Sequence, residues 1–106
     1  MLNSLTASHF ESLVNQDFTT AGVDDKRYPF KLTSVNIRVT EAQQAYPERT
    51  REAFSLAFEG PENLEFIQGT VELEHPSFSE PLPIFMVAVG EHPEQKGRLL
   101  YQAVFN

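Results

Sequence analysis

The side chains in this sequence that could act in catalysis or metal binding are three histidines and an excess of carboxylates. His75 closely follows Glu72 and Glu74, and three such groups together could bind a metal ion. Alternation along a strand, however, places Glu72 and Glu74 on one outward face, as expected of solvated acids. The three histidines stand singly: His9 has no partner four residues away in the predicted helix, and His75 and His92 each precede a proline in a turn. We therefore expect no metal site, no cofactor and no catalytic residue.

Other catalytic patterns are also missing from the sequence. The chain has no Cys, which excludes disulfides and thiolate chemistry. It has no glycine-rich phosphate loop and no motif that combines a nucleophile with a base. The sequence therefore predicts a protein that is not an enzyme.

The charge distribution is more informative than any motif. Fifteen acids and eight Lys or Arg residues give a net charge of −7, which argues against nucleic acid and anionic membranes as partners. From Glu52 to Gln95 the chain has nine acidic residues and neither Lys nor Arg. These acids are either a solvated face that protects sheet edges or a docking surface, for which Glu72 and Glu74 are the candidate contacts.

The length of 106 residues predicts one β-rich domain spanning residues 1–106. The first fifteen residues lack the basic start and apolar core of a signal peptide, and no apolar run is long enough to cross a bilayer. We therefore predict a soluble, cytoplasmic protein.

The most apolar stretch, Leu82–Gly90, is predicted to be the central strand. Its odd-numbered and even-numbered positions both carry large apolar residues. We therefore expect both of its faces to be covered and Phe85 to lie in the core. Two alternating stretches precede it, Arg51–Phe58 and Ile67–Leu73. We expect these two to pair as a hairpin across a turn at Gly60–Asn63, with an acidic outer face.

Two further elements are predicted in the N-terminal part. Leu5–Phe18 has apolar residues at helical spacing, with Ser8 and Glu11 placed as a capping box. The apolar residues of Tyr28–Val39 change phase, which predicts a β-bulge near Thr33 and Ser34.

Three other segments complete the prediction. Asp17–Thr20 is expected to begin a short edge strand, and Arg98–Phe105 to form a strand tied into the sheet. The polar segment Thr40–Thr50 is either a binding loop or an irregular connection without a role. If it binds, the candidate contact residues in and next to it are Tyr46, Arg49 and Arg51.

These elements predict a mainly β (α+β) fold. Five or six antiparallel strands are expected to form a small barrel or rolled sheet, with one N-terminal amphipathic helix as its cap.

Several stretches carry a recognisable pattern of structural residues: Phe54–Phe58, Gln68–Leu73, Phe85–Gly90 and the terminal Tyr-Gln-Ala-Val-Phe-Asn of Tyr101–Asn106. Together they resemble a family of small bacterial domains of unknown function, which ends in a similar Tyr-x-Ala-x-Phe-Asn. Members of that family are often encoded near phage-tail-collar-like proteins. The resemblance implies an accessory or assembly partner of a tail-like protein, and it carries over no site residues.

Two classes of function remain open from the sequence. The first is a non-catalytic interaction or assembly module that binds a protein partner or forms a weak homo-oligomer. The second is a small-ligand-binding β-barrel whose mouth is rimmed by the Thr40–Thr50 loop.

Overall fold

A computed structural model describes residues 5–22, 26–38, 53–64 and 66–105. The predicted loop at Thr40–Thr50 lies outside these ranges. The described elements are one short helix and six strands: α1 (Ser8–Glu11), β1 (Asp17–Ala21), β2 (Arg27–Arg38), β3 (Ala53–Glu62), β4 (Gln68–Leu73), β5 (Leu82–Glu91) and β6 (Arg98–Phe105). All paired strands are antiparallel, in the order β1-β2-β3-β6-β5-β4. The prediction of a mainly β fold is confirmed, with six strands.

The two outer strands of this order curl towards each other and nearly close the sheet into a barrel. Thr19 in β1 and Glu74, directly after β4, form an antiparallel bridge. The Thr19 N–H donates to the Glu74 carbonyl at 3.0 Å, and the Glu74 N–H donates to the Thr19 carbonyl at 2.8 Å. Among the described residues this bridge is the only backbone pairing between the two strands. The barrel is therefore closed at one point and open beyond it.

The predicted hairpin between β3 and β4 is wrong. β3 pairs with β2 and β6, whereas β4 pairs with β5, so the strands follow a Greek-key arrangement. The expected turn at Gly60–Asn63 is also misplaced, because β3 continues through Gly60 and pairs Glu62 with Arg98. The chain then crosses one end of the barrel between β3 and β4, over the ends of β6 and β5.

Among the described residues of this crossing segment (63, 64, 66 and 67), three hydrogen bonds hold the chain against β6 and β5. The Asn63 N–H donates to the Gly97 carbonyl at 2.7 Å, just before β6. The Tyr101 hydroxyl donates to the Phe66 carbonyl at 2.6 Å, and the Ala88 N–H donates to the Ile67 carbonyl at 2.7 Å. These long-range contacts explain why a local turn rule does not predict the connection.

β5 is not covered on both faces, which corrects the prediction for its side chains. Leu82, Ile84 and Met86 are buried inside the barrel, whereas Phe85 is 56% exposed on the outer face. Val87, on the same outer face, is half-buried. The expectation that Phe85 lies in the core is therefore wrong. A closed sheet buries one face of each strand, and large apolar residues at both parities do not show that the second face is covered.

The core fills the barrel and is rich in phenylalanine. Phe54 of β3 stacks on Phe105 of β6 with ring centroids 4.6 Å apart. Phe10 of α1 packs against both rings, at 6.0 and 6.1 Å, and against Phe18 of β1 at 6.3 Å. The short helix therefore closes the end of the barrel that these rings occupy.

The long N-terminal helix predicted for Leu5–Phe18 is wrong. Only Ser8–Glu11 is helical, and the residue before it, Ala7, makes no side-chain cap. Asn15 adopts a positive φ of 73° and donates its N–H to the Leu32 carbonyl of β2, which ends helical geometry before β1 begins. Tertiary hydrogen bonds have therefore overridden a local helical pattern. Within the described part of the chain no helix is long and apolar enough to cross a membrane.

The predicted bulge in β2 is confirmed. The register between β2 and β3 shifts between Leu32 and Ser34, and the intervening Thr33 donates its hydroxyl to the Ala57 carbonyl at 3.1 Å. The shift returns Val35 to the face that Leu32 occupies, so both residues pack on the same core.

Candidate functional site

The predicted contact residues are only partly within the described structure. Glu72 lies in β4 and Glu74 directly follows it, and both side chains are exposed on the outer face, as predicted. Tyr46, Arg49 and Arg51 lie outside the described residues. The two acids therefore define the place at which a site can be examined.

Glu74 belongs to the seam that closes the barrel. Its carboxylate Oε2 lies 2.9 Å from Nη2 of Arg27, and the same Nη2 donates to the Thr19 hydroxyl at 2.7 Å. Both charged side chains are about half exposed, so this ion pair adds little to stability. Its effect is to hold the strands together at the seam, because it joins side chains of β1 and β2 to the residue directly after β4.

Beyond the Thr19–Glu74 bridge, β1 and β4 separate. Ala21, the next residue of β1 whose main-chain groups point towards β4, makes no backbone hydrogen bond to β4 among the described residues. A cleft of about 520 Å³ opens between the two strands. It is bounded by residues 20–22, in and directly after β1, and by residues 70–72 of β4 with Glu74.

The floor of this cleft is apolar and aromatic. Phe30 is buried at its base, and four half-buried residues surround it: Tyr28, Leu64, Phe66 and Val71. The polar side chains lie on the rim, and they include Thr70 and Glu72 of β4. Among the described residues Glu72 has no ion-pair partner, in contrast to Glu74.

Tyr101 supports the floor from inside the barrel. Its ring lies 5.5 Å from that of Phe30 and 5.9 Å from that of Phe66, centroid to centroid, and its hydroxyl holds the Phe66 carbonyl. Burial raises the pKa of the Tyr101 phenol, because the phenolate is poorly solvated there. The floor is therefore made of rings held by the core.

The histidines are used as backbone partners rather than as a chemical centre. Nδ1 of each ring lies within hydrogen-bonding distance of a backbone N–H: His9 with Thr6 at 2.9 Å, His75 with Ser77 and His92 with Glu94 at 3.0 Å. Nε2 of His75 lies 2.8 Å from the Gln16 side-chain oxygen. In the described ranges no three acidic or histidine side chains are grouped to hold a metal ion.

Sequence reasoning identifies Glu72 and Glu74 but not the aromatic floor beside them. Tyr28 and Phe30 lie in a strand whose pattern predicts ordinary core residues, so no local signal distinguishes them as residues that line a cleft. Phe66 does carry a signal, because it and Ile67 are apolar residues in a link that a simple hairpin would make polar. An apolar link of this kind indicates a segment that packs across the sheet.

Comparison with known proteins gives a family but no activity. No curated protein and no solved structure matches the chain. The family model for a domain of unknown function, DUF6916, matches residues 5–105. The match spans nearly the whole chain, and the protein therefore belongs to the DUF6916 family of domains of unknown function.

Proposed function

We propose that this protein is a non-catalytic interaction module that binds a polypeptide partner in the cleft between β1 and β4. The observation that supports this proposal is the coincidence of two features at one place. The seam between β1 and β4 is hydrogen-bonded only at Thr19 and Glu74 among the described residues, and half-buried apolar side chains lie in the opening beside it. Unpaired strand edges and partly exposed apolar surface both gain free energy when a polypeptide covers them.

A small-ligand site is the second candidate. Its support is the cleft volume of about 520 Å³, which lies within the range of roughly 300–1,000 Å³ typical of ligand pockets. Such pockets bury most of the ligand and orient it with a few polar groups. Here the polar side chains are on the rim and the cleft is open along the strand edges, which suits a chain that passes through.

We further propose that the partner is a component of a phage-tail-like assembly in the bacterial cytoplasm. The support for this step is the resemblance carried by the terminal Tyr101–Asn106 and the stretches described with it. The net charge of −7 favours a protein partner, or a weakly associating second copy, over nucleic acid or an anionic membrane.

Site-specific photo-crosslinking in the native host tests the proposed function. A photoreactive amino acid replaces Thr70 on the rim or, as a control, Gln102, an exposed residue of β6. We expect a covalent adduct with a discrete polypeptide from position 70 and none from position 102. Equal adducts from both positions, or none from position 70, would remove the cleft as the interaction site.

A further inference from the structure

We propose that the partner adds a strand to the free edge of β4, and that it places an apolar side chain over the aromatic floor and a Lys or Arg beside Glu72. This inference rests on the proposed function and names the binding mode and the chemistry of the partner. It is supported by three observations, which concern the main chain, the floor and the charge of the rim.

The first observation is the direction of the β4 main-chain groups. Glu74 directs both its N–H and its carbonyl to Thr19, away from β5. Main-chain groups alternate along a strand, so Glu72 and Thr70, two and four residues earlier, direct theirs to the same side. Pro83 of β5 stands opposite Glu72 and has no backbone N–H. This agrees with Glu72 directing its main-chain groups away from β5. Thr70 and Glu72 therefore direct towards the cleft main-chain groups that have no backbone partner among the described residues.

The second observation is that the neighbouring strand leaves room for an addition. To extend the seam beyond the Thr19–Glu74 bridge, Ala21 of β1 would have to pair with Glu72, and no backbone hydrogen bond joins these two described residues. A strand added to β4 needs a spacing of about 4.8 Å and directs alternate side chains to opposite faces. Its inward side chains would lie over Phe66 and Tyr28, which are half-buried and have apolar area to cover.

The third observation concerns charge on the outer face of the same edge. Glu74 is paired with Arg27, whereas Glu72 has no ion-pair partner among the described residues. A cationic residue opposite Glu72 on an added strand would form a favourable cross-strand pair. A second copy that paired its own β4 antiparallel to this edge would bring acidic rims together, so we favour a basic partner segment.

The test uses the wild-type full chain and a displayed library of random peptides about twelve residues long, enough for one extended strand. We expect enriched peptides in which an apolar or aromatic residue adjoins Lys or Arg. Their affinity should fall by about tenfold for Glu72→Lys, because like charges then face each other. Glu80→Lys, an exposed acid outside this cleft, is the matched control and should change affinity by less than about twofold.

Thr70→Pro separates strand addition from other contacts. Proline removes the N–H that faces the cleft but no hydrogen bond to β5, whereas Thr70→Ala keeps that N–H. We expect Thr70→Pro to lower peptide affinity by about tenfold and Thr70→Ala by less than about twofold. Equal affinities for the two variants would overturn strand addition while leaving the cleft as the binding site.

Amide hydrogen exchange of the wild-type protein measures strand addition without the use of variants. Peptide binding should slow exchange at the Thr70 and Glu72 amides and leave that of Gln102 unchanged. No slowing at those two amides, or a selection that enriches no peptide, would also overturn the proposal. If the substitutions in the cleft do not change peptide affinity and position 70 gives no specific photo-crosslink, the proposed function itself is refuted.

Discussion

Phe85 and Met86 are adjacent in β5 and have opposite surroundings. Met86 is fully buried inside the barrel, whereas the Phe85 ring has more than half of its surface in water. Hydrophobicity is therefore a poor guide to burial in this strand. Whether a side chain is buried depends on whether it points into or out of the barrel. The same rule separates Phe30, at the base of the cleft, from the exposed rim residue Glu72.

Truncation of these two neighbours should give very different losses of stability. Met86→Ala should lower the free energy of unfolding by about 2 to 5 kcal/mol, because it leaves a cavity in a packed core. Phe85→Ala should lower it by about 1 kcal/mol or less, since only part of the ring is removed from water. Denaturant titration of both variants measures the difference. A larger loss for Phe85→Ala than for Met86→Ala would reverse the assignment of the β5 faces.

Tyr101 gives the protein a specific response to alkaline pH. Burial raises its pKa above the ordinary value of 10.0, so the folded state favours the neutral phenol. The corresponding stability is fully present below the unfolded-state pKa and is lost as pH rises through the folded-state pKa. Above pH of about 10 the wild type should therefore lose stability that a variant without this phenol does not lose.

Tyr101→Phe is that variant. At about pH 8 it should be less stable than the wild type by about 1 kcal/mol, because the hydrogen bond to the Phe66 carbonyl is gone. By about pH 11 this difference should shrink or change sign, since only the wild type has a buried phenol to ionise. Denaturant midpoints at the two pH values provide the comparison. A difference that stays constant would show that the Tyr101 ionisation is not linked to folding.

At the scale of elements, the end of β3 and the crossing segment explain how the cleft is formed. β3 extends through Gly60, whose backbone lies directly against the ring of Tyr101. The chain then carries Leu64 and Phe66 across the end of the barrel and into the cleft lining. A tight hairpin at Gly60–Asn63 would have placed neither residue there.

Gly60→Ala tests this close approach. A methyl group at Gly60 would overlap Cε2 of Tyr101, so the variant should lose about 1 to 3 kcal/mol of stability. Gly90→Ala in β5 is the matched control, because a methyl group there meets no atom within 4 Å. It should be neutral or stabilising by up to about 1 kcal/mol. Similar thermal denaturation midpoints for the two variants would contradict the packing of β3 on Tyr101.

At the scale of the whole molecule, the fold mixes charges that the sequence keeps apart. Arg27 pairs with Glu74, and Arg98 lies 3.7 Å from Glu62. Lys31 stands in register between Asp17 of β1 and Glu59 of β3. These three bases are therefore already beside acids of their own chain, and fewer remain to attract the acidic side of a second copy. Exposed apolar residues on β5 and β6, among them Phe85 and Val104, provide a different surface for self-association.

Self-association should therefore not weaken as salt is added. Sedimentation velocity between about 0.1 M and 1 M salt, where the Debye length falls from about 10 to 3 Å, separates the two mechanisms. We expect any dimer to persist at high salt and to be lost in Phe85→Ser, because apolar contacts are not screened. Glu72→Gln combined with Glu74→Gln should leave it unchanged. Dissociation by salt would instead favour pairing of basic and acidic surfaces.

Several features of the fold could be predicted from local alternation and phase along the chain. Most strands follow from alternating apolar residues, and the bulge near Thr33 follows from a phase change that any core-facing strand must correct. The outward position of Glu72 and Glu74 follows from the same two-residue period.

The pairing of the strands and the surfaces that remain open depend on contacts between residues that are distant in the sequence. β6 lies between β3 and β5 because its backbone pairs with both strands, and sequence proximity does not encode that choice. The opening beside Glu72 exists because the described residues of β1 and β4 pair only at Thr19 and Glu74. Backbone groups are chemically the same in every residue, so a local pattern predicts that they will be paired but not with which strand.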